Sequence, residues 1–247
     1  MMRFDILTLF PEMFQSVLDN SIIGRAQEKG LLTLNYIQIR DFAYNKHRQV
    51  DDYPYGGGAG MVMQAEPIFL AYESLCKGLN YKPKTIYLSP QGKTFRQGTA
   101  KKLAREKHLV LLCGHYEGVD QRVLDEIVDM EISLGDFVMT GGEIAAMALV
   151  DATARLIPGV LKSEMAFSEE SHFSGLLEYP QYTRPEEWHG RAVPDVLLSG
   201  HHKNIEAWKR EMSIRTTFNK RRSLLSKAKL SEKEKTLVAE LKKRENL

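Results

Sequence analysis

Three glycine-containing segments hold most of the side chains suited to binding a small molecule. They span residues 87–92, 113–118 and 133–143, and each comes directly after a short apolar run with β-strand character. Loops that leave the carboxyl ends of neighbouring strands are where open α/β sheets hold their ligands. Glycine there lets a ligand approach bare backbone N–H and C=O groups. We therefore expect the three segments to form one composite pocket.

A second group of polar residues follows the third glycine segment. Arg155 ends a helical stretch, and the acidic pair Glu169 and Glu170 comes later, just before Ser171 and His172. From the residues alone, solvated loop charges are the better interpretation of the two glutamates.

Two other glycine patterns imitate nucleotide-binding motifs. Gly92-Lys93-Thr94 resembles the end of a P-loop, but Tyr87 stands where that motif requires its first glycine, and Pro90 removes a backbone donor. The run 56–60 fails the dinucleotide-binding pattern because its sixth position is Met61. A P-loop-like nucleotide hydrolase is therefore a minor alternative. The run 56–60 is either a mobile loop near a ligand or a simple turn.

Strand-like and helix-like segments alternate up to about residue 156, which predicts an α/β fold with a mostly parallel sheet. The predicted strands are 4–9, 32–39, 84–88, 109–113 and 128–132, and the predicted helices are 11–29, 64–77, 95–107, 120–127 and 142–156. Residues 157–200 contain four prolines and no long periodic segment, which indicates loops and short turns. Two further helices, 201–220 and 231–243, predict a small helical domain at the carboxyl end.

The amino-acid composition argues against several classes of protein. The 247 residues contain no apolar run of membrane-spanning length, and the first ten residues do not resemble a signal peptide. Two cysteines exclude a disulfide framework or a cysteine-rich zinc site, and none of the seven histidines stands at metal-ligand spacing from another. We therefore expect a cytoplasmic protein with no dedicated metal site.

The net charge is unevenly distributed along the chain. Residues 201–247 contain 14 Lys and Arg against 6 Asp and Glu, although the whole chain has a net charge of only +2. A basic segment on a mildly acidic body points towards a polyanion such as nucleic acid. From charge alone, a solvated helical tail is an equally good interpretation.

Taken together, the motifs resemble one family, the bacterial tRNA (guanine-37-N1)-methyltransferases, which are trefoil-knot SPOUT methyltransferases. The matching blocks include 10–14, 40–42, 52–61, 88–92, 113–122, 135–143, 155–160, 175–185 and 196–202. They occur in order and at family spacing over about residues 1–225. Several blocks in register are highly specific, whereas no single block would be.

The resemblance implies a fold and a domain plan. It implies a deep trefoil knot in the carboxyl half of an α/β domain, residues 1–160, that binds S-adenosylmethionine. An interdomain linker, 161–176, and a helical basic tRNA-binding domain, 177–247, would follow, and the protein would act as a homodimer on the anticodon stem-loop. Another RNA-base methyltransferase of the same knotted class is the alternative.

The resemblance also implies which residues bind the cofactor. By this match, Gly114, Leu134, Gly135, Asp136, Phe137, Val138 and Met139 line its site. The residues around it would be Tyr87, Leu88, Ser89, Pro90, Gly92, Tyr116, Glu117, Gly141 and Gly142.

The catalytic residues implied by the family are a carboxylate and a guanidinium. The family's base is an aspartate, and its position here holds Glu170, so the carboxylate is moved out by one methylene. The following family run Ser-Phe becomes Ser171-His172, so either the loop shifts or Glu169 takes the role. The implied cation is Arg155, which would stabilise negative charge on guanine O6. Relatives also need Mg²⁺ for turnover, and the ion could sit on RNA or on carboxylates assembled with the substrate.

The basic helical segment supplies cations for the tRNA backbone in this interpretation. The candidates are Lys203, Lys209, Arg210, Arg215, Lys220, Arg221 and Arg222. Phosphate contacts of this kind make binding strongly dependent on salt.

Overall fold

A computed structural model describes residues 1–161, 170–172 and 175–245 of the chain. The chain divides into two compact units, Met1–Lys162 and Ser163–Leu247. Glu169 and most of the predicted linker lie outside the described residues. Within the described residues, no helix is both long and apolar enough to cross a membrane.

The first unit is built on a five-stranded sheet, which confirms the predicted α/β class and the mostly parallel sheet. Its strands are β1 (Met2–Thr8), β2 (Leu32–Gln38), β5 (Lys84–Thr94), β6 (His108–Cys113) and β7 (Met130–Ser133). They pair in the order β2-β1-β6-β5-β7, and every pair is parallel. A short antiparallel pair, β3 (Asp51–Asp52) and β4 (Val62–Met63), lies apart from this sheet.

Helices cover the sheet, as parallel strands require. They are α1 (Glu12–Leu18), α2 (Ser21–Glu28), α3 (Ala65–Cys76), α4 (Gln97–Leu103), α5 (Gln121–Ile127) and α6 (Glu143–Ala154), with a 3₁₀ turn at Ile39–Phe42. All six residues of β6 are buried, because this strand is central and has an apolar layer on each side.

The predicted helix 11–29 is instead two helices. The side-chain amide of Asn20 donates a hydrogen bond to the Ser16 carbonyl, 3.1 Å away, which satisfies an acceptor at the end of α1. Ser21 then takes a positive φ of 54° as α2 begins. Gly24 permits the tight turn, since a Cβ there would overlap the Asp19 carbonyl. Polar side-chain capping therefore overrides the helical periodicity.

The prediction that β5 ends at residue 88 is also wrong. The strand continues to Thr94 through a bulge, and Lys93 and Thr94 pair with Ile132 and Ser133 of β7. Gly92 makes this possible, because its backbone passes against the main chain of β7. The segment Gly92-Lys93-Thr94 is thus extended rather than a loop that opens a helix, so it lacks the geometry of a P-loop.

The second unit is mainly helical. It contains α7 (Asp195–Leu198), α8 (His202–Lys220), a 3₁₀ turn at Arg222–Leu224 and α9 (Glu232–Glu245), with a small hairpin of β8 (Glu187–Trp188) and β9 (Arg191–Ala192). Its buried core consists of Leu176, Ile214, Phe218 and Leu225. Arg210 on α8 forms an ion pair with Glu234 on α9, with 2.7 Å between Nε and Oε1.

Candidate active site

A cavity of about 290 Å³ lies in the first unit at the carboxyl ends of β5, β6 and β7. The three glycine segments bring their residues together around it. Its lining includes Tyr87, Leu88, Ser89, Pro90, Gln91, Gly114, His115, Tyr116, Glu117, Gly118, Val119, Gln121, Leu124, Glu131, Ile132, Ser133, Leu134, Phe137, Val138, Met139, Thr140, Gly141, Gly142 and Ala145. The cavity is therefore composite, as the sequence predicts.

The first wall of the cavity comes from β5 and its bulge. Tyr87, Leu88 and Ser89 are buried, and the Ser89 hydroxyl accepts a hydrogen bond from the backbone N–H of Gln91 at 3.1 Å. Burial, and then the nearby carboxylate of Glu131, raises the pKa of Tyr87 to about 12. Tyr87 therefore presents a neutral phenol to the cavity at physiological pH.

The second wall follows β6 and is tied to the β4 region. The N–H of Glu117 donates to the Met61 carbonyl at 3.0 Å, and Tyr116 takes a positive φ of 60°. Gly60 lies against Glu117, because a Cβ at Gly60 would meet the Glu117 side chain at 2.5 Å. Since Glu117 lines the cavity, the glycine run 56–60 ends beside the candidate site rather than forming a remote turn.

Close approach of the Tyr87 side chain explains why residue 114 is a glycine. A Cβ at this position would lie 2.8 Å from the hydroxyl oxygen of Tyr87. The Gly114 carbonyl accepts a hydrogen bond from the N–H of Gly142 at 2.9 Å. The second and third segments are thus joined directly beside the cavity.

The third wall follows β7 and carries exposed apolar side chains. The Ser133 hydroxyl donates to the Gly135 carbonyl at 2.8 Å, which folds the loop back on itself. The side chain of Phe137 packs over Gly135, where a Cβ would lie 2.8 Å from the ring. Phe137 is 57% exposed and Val138 is 83% exposed, although both line the cavity. Apolar surface is therefore available to a bound molecule.

A partly buried hydrogen-bonded pair lies beside these loops. The Nε2 atom of His115 is 2.7 Å from Oε2 of Glu143, and the Thr8 hydroxyl donates to Oε1 of Glu143 at 2.6 Å. Burial, and then the charge of Glu143, raises the pKa of Cys113 well above its usual value. The neighbouring cysteine is therefore an inert thiol rather than a nucleophile.

Most of the predicted cofactor residues line the cavity, whereas Gly92, Gly135 and Asp136 do not. Gly92 packs under β7, and Gly135 packs under Phe137. Sequence reasoning missed His115, Gln91 and Glu131 among the lining residues. His115 and Gln91 stand inside two of the glycine segments, so their position was a usable signal.

The two predicted catalytic residues belong to different units. Arg155 follows the last residue of α6, where it is half-buried, and Glu170 is a half-buried residue of the second unit. Across the described ranges, no group of three His, Cys, Asp or Glu side chains is placed to hold a metal ion.

Comparison with known proteins decides the family. The family model for tRNA (Guanine-1)-methyltransferase TrmD matches residues 2–227. This chain belongs to that family. It is 57% identical over 226 residues to the tRNA (guanine-N(1)-)-methyltransferase of Ruminiclostridium cellulolyticum, covering 92% of this chain and 97% of the relative.

Other relatives in the family give the same result. The chain is 56% identical over 242 residues to the tRNA (guanine-N(1)-)-methyltransferase of Alkaliphilus oremlandii, covering 96% of this chain and 97% of that protein. It is 55% identical over 237 residues to that of Carboxydothermus hydrogenoformans, covering 96% and 92%. The cavity and both candidate catalytic positions fall inside the region that the family model matches, whereas α9 lies beyond it.

Proposed function

We propose that this protein transfers a methyl group from S-adenosylmethionine to N1 of guanine 37 in tRNA. The observation that carries the proposal is the composite cavity at the carboxyl ends of three parallel strands, in a chain that belongs to the tRNA (guanine-1)-methyltransferase family. Membership in a methyltransferase family implies a methyl donor. The names of the relatives support guanine N1 in tRNA as the acceptor.

The cavity residues suit S-adenosylmethionine. The cavity volume of about 290 Å³ lies just below the ~300–1,000 Å³ range of small-molecule sites. Gly114, Gly141 and Gly142 line the cavity, and Phe137 and Val138 offer apolar surface. When bound, the donor supplies an electrophilic methyl group on a sulfonium.

The acceptor needs help from the protein, because guanine N1 carries a proton at neutral pH and has no free lone pair. We assign Glu170 as the base that takes the N1 proton as the N1–methyl bond forms, a role typically worth ~10²–10⁴-fold in rate. We assign Arg155 to guanine O6, where negative charge develops as that proton leaves. An oriented donor of this kind contributes roughly 2.7–4 kcal/mol.

The remaining parts of the proposal concern assembly. We propose that the first unit is threaded into a trefoil knot and that two copies form a homodimer in the cytoplasm. The direct contact of the 113–115 and 141–143 segments, through the Gly142 to Gly114 hydrogen bond and the His115–Gly141 bridge, supports a closely packed carboxyl half of this unit. We propose that any Mg²⁺ needed for turnover is held with substrate.

The basic face of the second unit is proposed to bind the tRNA backbone. Lys203, Lys220 and Arg221 are exposed. Arg210 and Arg215 instead form ion pairs with Glu234 and Glu211. Because phosphate contacts release counterions, tRNA affinity should fall steeply with added salt. A flat response between low and physiological salt would mean that this face is only a solvated surface.

Methyl transfer to transcripts tests the function directly. Purified protein, S-adenosylmethionine labelled in its methyl group and an unmodified tRNA transcript should yield labelled RNA, and nuclease mapping should place the label at guanine 37. A matched transcript with adenine at position 37 should remain unlabelled. Label at another base would favour another RNA-base methyltransferase, and no label in any RNA would refute the proposal. Thermal stabilisation by ATP, but not by S-adenosylmethionine, would favour a nucleotide hydrolase instead.

Two substitutions test the assigned residues. Glu170→Gln should reduce single-turnover methyl transfer by about 10²–10⁴-fold while leaving donor affinity unchanged. Arg155→Ala should also lose rate, and a change only in donor affinity would contradict its role at O6. Glu232→Gln on α9, beyond the family match, is the matched control and should turn over normally. If Glu170→Gln is active and Glu169→Gln is not, Glu169 is the base.

A further inference from the structure

His115 and Glu143 join two walls of the candidate cavity. His115 follows β6 and lines the cavity, whereas Glu143 is the first residue of α6, is only 1% exposed and does not line it. The atoms Nε2 and Oε2 are 2.7 Å apart, the spacing of a charge-assisted hydrogen bond. The Glu143 side chain therefore contacts a residue of the cavity wall, His115, without lining the cavity itself.

Both carboxylate oxygens of Glu143 are used. The Thr8 hydroxyl donates to Oε1 and itself accepts the N–H of Phe10 at 3.0 Å. Glu143 itself stands in the first turn of α6. Hence one buried side chain connects the end of β1, the segment after β6 and the start of α6.

Steric crowding by this pair explains why residue 141 is a glycine. A Cβ at Gly141 would overlap the His115 ring and would lie 2.6 Å from Oε2 of Glu143. His115 and Gly141 also form an isolated antiparallel bridge. The Glu143–His115 hydrogen bond thus occupies the space that any larger residue at 141 would need, and it fixes the separation of two cavity walls.

We infer that Glu143 is a positioning residue, which holds His115 and the 113–118 and 140–142 segments in the shape that receives the methyl donor. The inference rests on the proposed function and deepens it. Because Glu143 is removed from the cavity, its loss should weaken donor binding and raise the donor KM, while kcat at saturating donor changes little.

The chain provides a matched control at the opposite end of the same strand. His108 begins β6, and its Nε2 is 2.8 Å from Oδ2 of buried Asp5. At about 3.3 Å per residue, the two histidines are roughly 23 Å apart along the chain. Asp5→Ala should therefore destabilise the fold, by removing a buried carboxylate that contacts His108, Arg3 and Asn35, without changing donor affinity.

The test measures the dissociation constant of S-adenosylmethionine by calorimetry, together with donor KM and kcat. Glu143→Ala should bind the donor roughly ten- to a hundredfold more weakly, the effect of losing a hydrogen bond to a charged group. Glu143→Gln should recover most of the affinity, because its amide can accept from His115 and donate to Thr8. His115→Ala with Glu143→Ala should be no weaker than the worse single variant.

Each outcome decides the inference. Normal donor affinity in Glu143→Ala, or an equal loss in Asp5→Ala, would overturn it while leaving the proposed function intact. If Glu143→Ala does not fold, the donor affinity of the double variant Glu143→Gln with Thr8→Val is measured instead. Weaker binding in this double variant than in Glu143→Gln alone supports the inference, and equal binding refutes it. Failure of the unaltered protein to bind S-adenosylmethionine would refute the proposed function and the inference with it.

Discussion

Replacing Gly92 by alanine tests whether β5 needs a glycine where it runs against β7. A Cβ at Gly92 would lie 2.5 Å from the carbonyl carbon of Glu131 and 2.5 Å from the nitrogen of Ile132. Gly92 is not among the glycines with positive φ, so the close approach, rather than its own backbone conformation, is the obstacle. Overpacking typically costs about 1–3 kcal/mol. We expect the upper end of that range, because main-chain atoms cannot rotate away.

The expected loss is large enough to measure by urea and thermal unfolding. At about 2–4 °C per kcal/mol for a domain of this size, the melting temperature should fall by roughly 6–12 °C. Both tryptophans, Trp188 and Trp208, belong to the second unit, so their fluorescence reports that unit alone. Far-UV circular dichroism reports both units, and the difference between the two curves isolates the first.

A second glycine provides the control. Gly98 lies in α4, and a Cβ there would have nothing within 4 Å. Gly98→Ala should therefore cause no loss of stability in the first unit, because a Cβ fits there and alanine favours a helix more than glycine does. An unchanged circular dichroism midpoint in Gly92→Ala, or equal losses in both variants, would refute the steric reasoning.

Three further predictions concern packing and ionisation. Leu176→Ala should destabilise the second unit by about 2–5 kcal/mol, seen as a lower urea midpoint in tryptophan fluorescence, because Leu176 is buried in its core. Arg210→Met should cost at most about 1 kcal/mol. The hydrogen bond from Arg210 lowers the pKa of Glu234, so the stability that this ion pair contributes is present above the pKa of the unfolded state and is lost as the pH falls. The free energies of unfolding of the variant and the parent protein should therefore become equal in acid. The raised pKa of Tyr87 predicts stability that is present below pH 10 and lost as the pH rises towards about 12. Over that pH range the Tyr87→Phe variant should lose less stability than the parent protein, and its tyrosinate titration should lack one step at high pH.

The strands were predictable from the sequence, because a strand that is buried on both faces of a sheet consists of a run of apolar residues. The predicted strand 109–113 differs from β6 by one residue, for this reason. The continuation of β5 past Pro90 was not predictable, since local residues favour a turn there and the pairing of Lys93 and Thr94 with β7 is non-local. The break between α1 and α2 depends on a side-chain amide bonding to a carbonyl, which periodicity does not detect.

The candidate site, too, was predictable from the sequence only in part. Glycine segments after apolar runs predicted where the cavity walls would lie, because parallel strands bring their carboxyl ends to one edge. The hydrogen bond of His115 to Glu143 joins residues 28 positions apart in the chain, and it depends on how two segments cross. No spacing rule within one helix or strand predicts such a pair. The resemblance to a family added the functional roles of Arg155 and Glu170, which remain predictions.

The position of β6 between β1 and β5 has a consequence for synthesis of the chain on the ribosome. The partner strands on its two sides are both made earlier, yet β1 and β5 do not pair with each other. A nascent chain that ends before residue 108 therefore carries the β2–β1 pair and the still unpaired strand β5, whose open edges are prone to association between chains. Only when residues 108–113 emerge can β6 join β5 to β1, so a pause in translation just before that point would raise the risk of aggregation.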